Sequence, residues 1–309
     1  MDWKSKKVLV TGGAGFIGSH LVDKLIELEA DVTVVDIKNK DNLKNLNHVK
    51  NDINFVKCDV TEPDNVKKIG DDITYVFHLA ALANPRECEK NPELAFKINV
   101  IGTYNVLNFA NQNKIKKVVF TSSAQLYGKN PKVPIDENHP IEPEESVYNL
   151  TKRIGENLCT LFNKSNVPTV ILRLFNSFGP RQSIDYFIPT VINQALDKGF
   201  VELWSDKPTR DFIFVEDTVR ALIKTVENDF RGGPINIGCG REINVGDLGR
   251  QIASDLDVKI KFLNKEVVGP NRLLCNNKMA QKVLGWKPEV KFEDGLKLTI
   301  NWFKKKKYN

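Results

Sequence analysis

A chain of 309 residues, 41% hydrophobic and 27% charged, has length for one large domain or two closely joined ones. Its apolar content is too high and its net charge of +6 too small for a disordered protein, and no apolar run approaches the roughly 20 residues of a membrane span. The basic run Lys304 to Lys307 reads as a solvated helix end, and no aromatic interleaving accompanies it, so charge does not argue for a nucleic-acid partner.

In chain order, Lys7 to Thr11 reads as a strand, Gly15 to Glu29 as a helix, and Asp31 to Asp36 and Asn54 to Cys58 as strands. Tyr75 to Leu79 is a further strand, followed by a long helix from about Asn91 to Gln112. Strand Lys117 to Ser122, helix Ser146 to Lys164 and strand Thr169 to Leu174 complete the regular alternation. Beyond Gly179-Pro180 it loosens into a helix near Ile188 to Lys198, then a strand pair near Val201 to Trp204 and Asp211 to Val215. A helix near Thr218 to Glu227, a strand at Ile235 to Ile237, a helix from Val245, a strand near Lys259 to Leu263 and a helix Gly295 to Lys304 end the chain.

Strands separated by helices imply right-handed crossovers and a doubly wound parallel sheet, an α/β fold of Rossmann type, with ligands beyond the carboxyl ends of the strands. We assign residues 1–179, with segments returning near 209–240, to this dinucleotide-binding unit. Residues 180–208 and 241–309 form most of a smaller α/β lobe.

Five scattered cysteines without a CxxC pair and four dispersed histidines argue against a disulfide framework and against a metal site. Polar, basic Met1 to Lys7 runs straight into Val8-Leu9-Val10 and leaves no room for a signal peptide, so a cytoplasmic protein is expected.

Val8 to Gly18 is a strand, a glycine-rich turn and a helix start, satisfying both Gly13-x-Gly15-x-x-Gly18 and Gly12-x-x-Gly15-x-x-Gly18. Glycine permits the tight turn and close approach of a pyrophosphate, to which the helix offers free N–H groups. Gly12, Gly15, Phe16, Ile17 and Gly18 are therefore expected to bind a dinucleotide. Asp36 ends the second strand, 18 residues past Gly18, where an acid accepts hydrogen bonds from an adenosine ribose and repels a 2′-phosphate, which favours NAD over NADP. Asp59-Val60 would lie by the adenine, and Leu79-Ala80-Ala81 by the pyrophosphate and nicotinamide ribose. Alone, Asp59 is a turn residue; His78 reads as a packed strand-end histidine without a catalytic role.

Strand five ends in Thr121-Ser122-Ser123-Ala124-Gln125-Leu126-Tyr127-Gly128, and Tyr148-Asn149-Leu150-Thr151-Lys152 follows about 20 residues later. Tyrosine and lysine at i and i+4 share a helix face. A free tyrosine titrates near ~10, so a base working at neutrality needs a depression of roughly 3 units, on the order of 4 kcal/mol. A neighbouring ammonium and a nicotinamide cation would supply it, and Ser123 would hold a substrate hydroxyl against the phenol oxygen.

These motifs resemble the extended short-chain dehydrogenase/reductases, specifically the nucleotide-sugar epimerase/dehydratase group that includes UDP-glucose 4-epimerase-like enzymes. The resemblance continues through Asn99 to Thr103, Arg173 to Asn176, Phe178-Gly179-Pro180-Arg181-Gln182, Thr209 to Phe212, Leu284 to Pro288 and Gly295-Leu296. It implies Tyr148 as base, Lys152 as ribose ligand and tuner, and Ser123 as orienter of the sugar. It further implies that Asn99 supports the backbone near the cofactor and Phe175 lies against the nicotinamide, near Thr121. Asn176 and Arg210 would hold a nucleotide diphosphate, for which arginine's planar fork is suited. Leu174 stands where the pattern usually has tyrosine. The late arginine-rich stretch appears as Val268 to Leu274, in which Arg272 is the candidate second diphosphate ligand. Ala83, Asn84, Gln125, Ser177 and Tyr186 are candidates for lining the sugar pocket.

Dehydratases of this group resemble one another in an acid after the serine, and decarboxylases keep a glutamate; here the two residues are Ala124 and Gln125. The expected activity is thus NAD-dependent C4 epimerisation of a UDP-linked sugar, with a 4,6-dehydratase, a 4-keto reductase and a non-catalytic dinucleotide sensor as alternatives. By the same resemblance, helices Asn91 to Gln112 and Ser146 to Lys164 would pair with their copies in a homodimer.

Overall fold

The computed structural model describes residues 1–129, 131–141, 146–265 and 269–308. The chain opens with β1 (Lys7–Thr11), α1 (Phe16–Glu27), β2 (Asp31–Asp36), β3 (Asn54–Lys57), α2 (Pro63–Lys67) and β4 (Tyr75–His78). Next come α3 (Pro85–Lys90), α4 (Pro92–Phe96), a wide π turn over Lys97–Gly102, α5 (Thr103–Gln112) and β5 (Lys117–Ser123). They are followed by α6 (Val147–Lys164), β6 (Thr169–Leu174), β7 (Asn176–Phe178), α7 (Phe187–Lys198) and β8 (Phe200–Leu203). Then come β9 (Thr209–Phe214), α8 (Val215–Val226), β10 (Gly232–Ile237), β11 (Glu242–Asn244) and α9 (Val245–Asp255). The order closes with β12 (Lys259–Phe262), α10 (Lys278–Leu284) and α11 (Phe292–Tyr308).

Seven strands form one parallel sheet in the order β3-β2-β1-β4-β5-β6-β10. The expected Rossmann-type sheet is the one found. Its strands are apolar almost throughout because helices cover both faces. Side-chain alternation sends Val8, Val10, Phe77 and Val119 to a core with Leu21, Val22 and Leu25 of α1 and Leu222 of α8. Leu9, Val76, Val118 and Phe120 go to the opposite core, with Val106, Leu107 and Phe109 of α5 and Cys159 of α6. Strand order reverses between β1 and β4, opening the crevice at which such sheets bind ligands.

A second, three-stranded sheet, β11-β9-β7, and a two-stranded one, β12-β8, build the lobe beside that crevice. Its core gathers Phe178, Ile188, Val191, Phe212, Phe214, Leu248, Ile252 and Leu296. Three expectations about elements are corrected. The strands near 201–204 and 211–215 do not pair: β8 runs parallel to β12, with Val201 opposite Ile260, while β9 lies between β7 and β11. Neighbours in sequence were separated because each strand buries its apolar face against a different partner. α10, only 7 residues long, is absent from the expected order. The helix over 91–112 is interrupted by the π turn, which carries Asn99; such turns re-aim side chains at functional sites.

Candidate active site

The turn after β1 is held by contacts that only glycine allows. Gly12 sits at φ +68°, and a Cβ there would come within 2.7 Å of the Ala80 nitrogen. Gly18 packs its backbone against Gly12 and Gly13. Gly15 differs: a Cβ there would meet only the Gly12 carbonyl, at 3.1 Å. Gly15 also caps α1 without a side-chain hydrogen bond, so the first-turn N–H groups face the crevice with space above them. Asp36 closes the turn from β2: one carboxylate oxygen accepts from the Ala14 N–H at 3.1 Å and the other from the Lys38 N–H at 3.2 Å. Lys38 Nζ and Asn45 Nδ2 both donate to the Ala14 carbonyl, at 3.3 and 3.2 Å.

Across β1, the end of β4 is fixed by a buried chain of polar groups. The Ala80 N–H donates to Thr11 Oγ1 at 3.3 Å, Thr11 Oγ1 lies 2.7 Å from His78 Nδ1, and His78 Nε2 lies 3.0 Å from Thr103 Oγ1. Thr103 spends its proton on the Asn99 carbonyl at 2.6 Å. It must therefore accept from Nε2–H, which leaves Nδ1 to accept from Thr11. Burial pushes the imidazole pKa down to about 3, so His78 is a neutral structural bridge. Asn99 lies behind the crevice wall, where its side chain accepts from the Leu82 N–H at 2.8 Å and donates to the Leu82 carbonyl at 3.1 Å and to Thr151 Oγ1 at 3.0 Å.

The end of β5 and the first turns of α6 bring Ser123, Tyr148 and Lys152 together. Ser146 caps α6 by accepting from the Asn149 N–H at 3.1 Å, which sets the helix start one residue before the phenol. The Ser123 hydroxyl lies close enough to the Tyr148 phenol to favour its ionised form, and it accepts from the Gln125 N–H at 3.2 Å. Asn149 Nδ2 donates to the Gln125 carbonyl at 3.0 Å and ties that turn to α6. The Lys152 ammonium donates to the Thr121 carbonyl at 2.9 Å and stands over the Phe120 ring, 5.2 Å from its centre.

The protonation balance differs from that expected of a tyrosine beside a lysine. Burial, reinforced by Tyr186, pushes the Tyr148 phenol above its ordinary range despite the opposing influence of Ser123. Burial likewise lowers Lys152, to about 8. Without a ligand the site therefore favours neutral phenol, because taking two groups of opposite charge type out of water penalises both ionised forms. The charge that would ionise Tyr148 has to arrive with what binds.

All these ends open into one cavity of about 630 Å³, within the range of cofactor sites. Gly12, Gly15, Phe16, Ile17, Gly18, Asp36, Asp59 and Val60 line it, together with Leu79, Ala80, Ala81, Thr121, Ser123, Tyr148, Lys152 and Phe175. A helix N-terminus open to the crevice, a carboxylate at the end of β2 and a buried phenol–lysine pair are groups of the kinds that suit a dinucleotide's pyrophosphate and ribose hydroxyls. The sequence from residue 8 to residue 238 matches the family model for NAD dependent epimerases/dehydratases.

The chain belongs to the NAD dependent epimerase/dehydratase family.

It is similar over 97% of its length, at 31% identity and a TM-score of 0.91, to a UDP-glucose 4-epimerase of Thermotoga maritima solved with UDP-glucose, of which 99% is covered. A UDP-N-acetylglucosamine 4-epimerase of Methanobrevibacter ruminantium, solved with UDP-N-acetylmuramic acid, gives 33% identity and a TM-score of 0.91 over 98% of this chain and 99% of that one. UDP-glucuronic acid decarboxylase 6 of Arabidopsis thaliana is 36% identical over 94% of this chain and 87% of its own.

Within this epimerase/dehydratase fold, Gln125 and Asn176 line the cavity with Ser123 and Tyr148, whereas Arg210 and Arg272 do not. Arg210 donates to its neighbour's carbonyl, Thr209 O, at 2.8 Å. Arg272 is exposed and engaged bidentately by Glu242 at 2.7 and 2.6 Å, a fork-to-fork pair that satisfies its guanidinium. Ala83, Ser177 and Tyr186 line the cavity, but Asn84 does not: its Oδ1 caps α3 by accepting from the Arg86 N–H at 2.9 Å. Val268 lies outside the described residues. Sequence reasoning assigned no role to Asn45, Ile98, Arg181, Gln182 or Leu273, all of which line the cavity. Arg181 and Gln182 belong to the Phe178-Gly179-Pro180-Arg181-Gln182 motif, but nothing in their spacing reveals which way they face. No helix among the described residues is long and apolar enough to cross a membrane.

Proposed function

We propose that the protein interconverts C4 epimers of a nucleotide-diphosphate sugar, UDP-linked, with NAD as resident cofactor. One observation carries the choice of reaction. Among the described residues that line the cavity, the carboxylates are Asp36 and Asp59, at the ends of β2 and β3. Three strand spacings, about 14 Å, separate β5 from β2. Among the described residues the reaction end therefore has no acid to protonate a leaving hydroxyl, nor a glutamate of the kind decarboxylases keep; Ala124 and Gln125 stand there instead.

When bound, NAD supplies a hydride acceptor that returns what it takes. Tyr148, ionised in the loaded site, withdraws the proton of the C4 hydroxyl while Ser123 holds that oxygen. Lys152 keeps the phenolate favourable by charge. The resulting ketone turns about its diphosphate linkage, and Tyr148 gives the proton back to the same oxygen on the other face. Incubation with a panel of UDP-sugars, resolved by chromatography and mass spectrometry, should give a product of unchanged mass. Loss of water or of carbon dioxide, or near-normal turnover by Tyr148→Phe, would overturn the assignment.

The same reading includes a homodimer. The sheet-facing residues of α5 and α6 are buried, yet Leu94, Ile101, Tyr104 and Leu161 are 46–58% exposed on the outer side of this helical layer. Tyr104 meets Phe162 edge to face at 5.9 Å, joining the two helices into one apolar surface. A second copy of the same surface is the partner that this fits.

A further inference from the structure

A dinucleotide's pyrophosphate brings about two negative charges to a helix end that offers roughly half a positive one. The cavity should therefore hold a cation near α1. Its described lining contains three, Lys38, Lys152 and Arg181. Lys38 is turned to the Ala14 carbonyl on the adenosine side, and Lys152 to the Thr121 carbonyl at the end of β5. Arg181 remains, and its surroundings are unusual.

Its backbone is left-handed, φ +67°, a conformation that strains a non-glycine residue. The preceding Pro180 carbonyl lies 3.0 Å from His20 Nε2 on α1. Burial lowers the His20 pKa to about 4, so its neutral ring donates there and pins the loop to the helix. From that anchor the Arg181 side chain reaches Asp23, with Nη1 2.7 Å from Oδ2. The pair is imperfect: Nη1 is shut off from solvent and lacks a well-directed hydrogen bond. Asp23 also has a second partner, His48 Nε2, at 2.9 Å from its other oxygen. Along the helix axis the His20 anchor is about 4.5 Å from Asp23 in one direction and about 6 Å from Phe16, at the N-terminus, in the other. The guanidinium is thus hinged midway between a carboxylate that can spare it and the site of the phosphates.

We propose that Arg181 is a pyrophosphate ligand of the bound dinucleotide, leaving Asp23 for the cofactor and so fastening the Gly179–Gln182 loop of the lobe over α1. This inference rests on the dinucleotide reading of the cavity but not on any sugar reaction, and binding alone tests it. ADP-ribose, which carries the pyrophosphate, and AMP, which does not, are titrated calorimetrically into the native chain, Arg181→Gln, Arg181→Lys and Asp23→Asn. Arg181→Gln should weaken ADP-ribose about tenfold or more while leaving AMP within about twofold, and Arg181→Lys should fall between, because a point charge replaces a fork. Asp23→Asn should bind ADP-ribose at least as tightly as the native chain. Equal losses for both ligands, an unchanged ADP-ribose affinity in Arg181→Gln, or an Asp23→Asn defect matching the arginine variant would overturn the proposal in favour of a merely structural ion pair. If Arg181→Gln does not fold, the Asp23→Asn and Arg181→Lys arms still decide. A native chain that binds neither ligand would sink the dinucleotide reading itself.

Discussion

Replacing Lys152 by methionine tests where the charge that ionises Tyr148 comes from. In the ligand-free protein burial pushes Tyr148 up and Lys152 down to about 8, so the phenol should be silent in the neutral range. Residues at i and i+4 stand about 6 Å apart, and two unit charges at that distance in an effective dielectric of ~20 interact by about 3 kcal/mol, about 2 pKa units. The cofactor's own positive ring must supply the rest. The assay is the near-ultraviolet difference spectrum of tyrosinate, taken against Tyr148→Phe to remove the other five tyrosines. Without NAD, no Tyr148 signal should emerge below pH ~9. With saturating NAD a titration should appear near neutrality, and in Lys152→Met its midpoint should lie about 2 units higher. The acid limb of the activity profile should move by the same amount, since the base works only when deprotonated. A tyrosinate at neutral pH in the ligand-free protein, or an unmoved midpoint in the loaded variant, would refute the reasoning.

Further outcomes follow from other contacts. Glu156 and Arg173 form a buried bidentate pair at 2.7–2.8 Å, with side chains 8% and 4% exposed. Glu156→Gln should cost about 3–5 kcal/mol by stranding the guanidinium. For 309 residues this lowers Tm by roughly 5–8 °C, and Glu156→Leu with Arg173→Met should recover most of it in a thermal melt. Asp36→Ser removes a charged acceptor, so NAD should bind on the order of tenfold more weakly and discrimination against NADP should shrink; a variant that still excludes NADP would show that selectivity lies elsewhere. Leu161→Glu with Tyr104→Glu should sediment as a monomer at concentrations where the native chain is a dimer; a native chain that is monomeric at micromolar concentration would remove the dimer from the proposal.

The sequence determined the sheet, because β1, β5 and β6 are apolar runs broken by turn chemistry, and local pattern needs no distant partner to be read. It also placed Tyr148 and Lys152 on one helix face, since helical spacing is a property of neighbouring residues. The pairing of β8 with β12 was beyond it: register between strands some 60 residues apart is chosen by which apolar faces meet. The same limit applied to the arginines. Arg210, Arg272 and Arg181 look equally available in a string of letters, and only folding turned one toward a neighbouring carbonyl, gave one to Glu242 and left Arg181 beside the cavity. Protonation was decided there too, because desolvation depends on everything packed around a group, whereas sequence spacing reports a single neighbour.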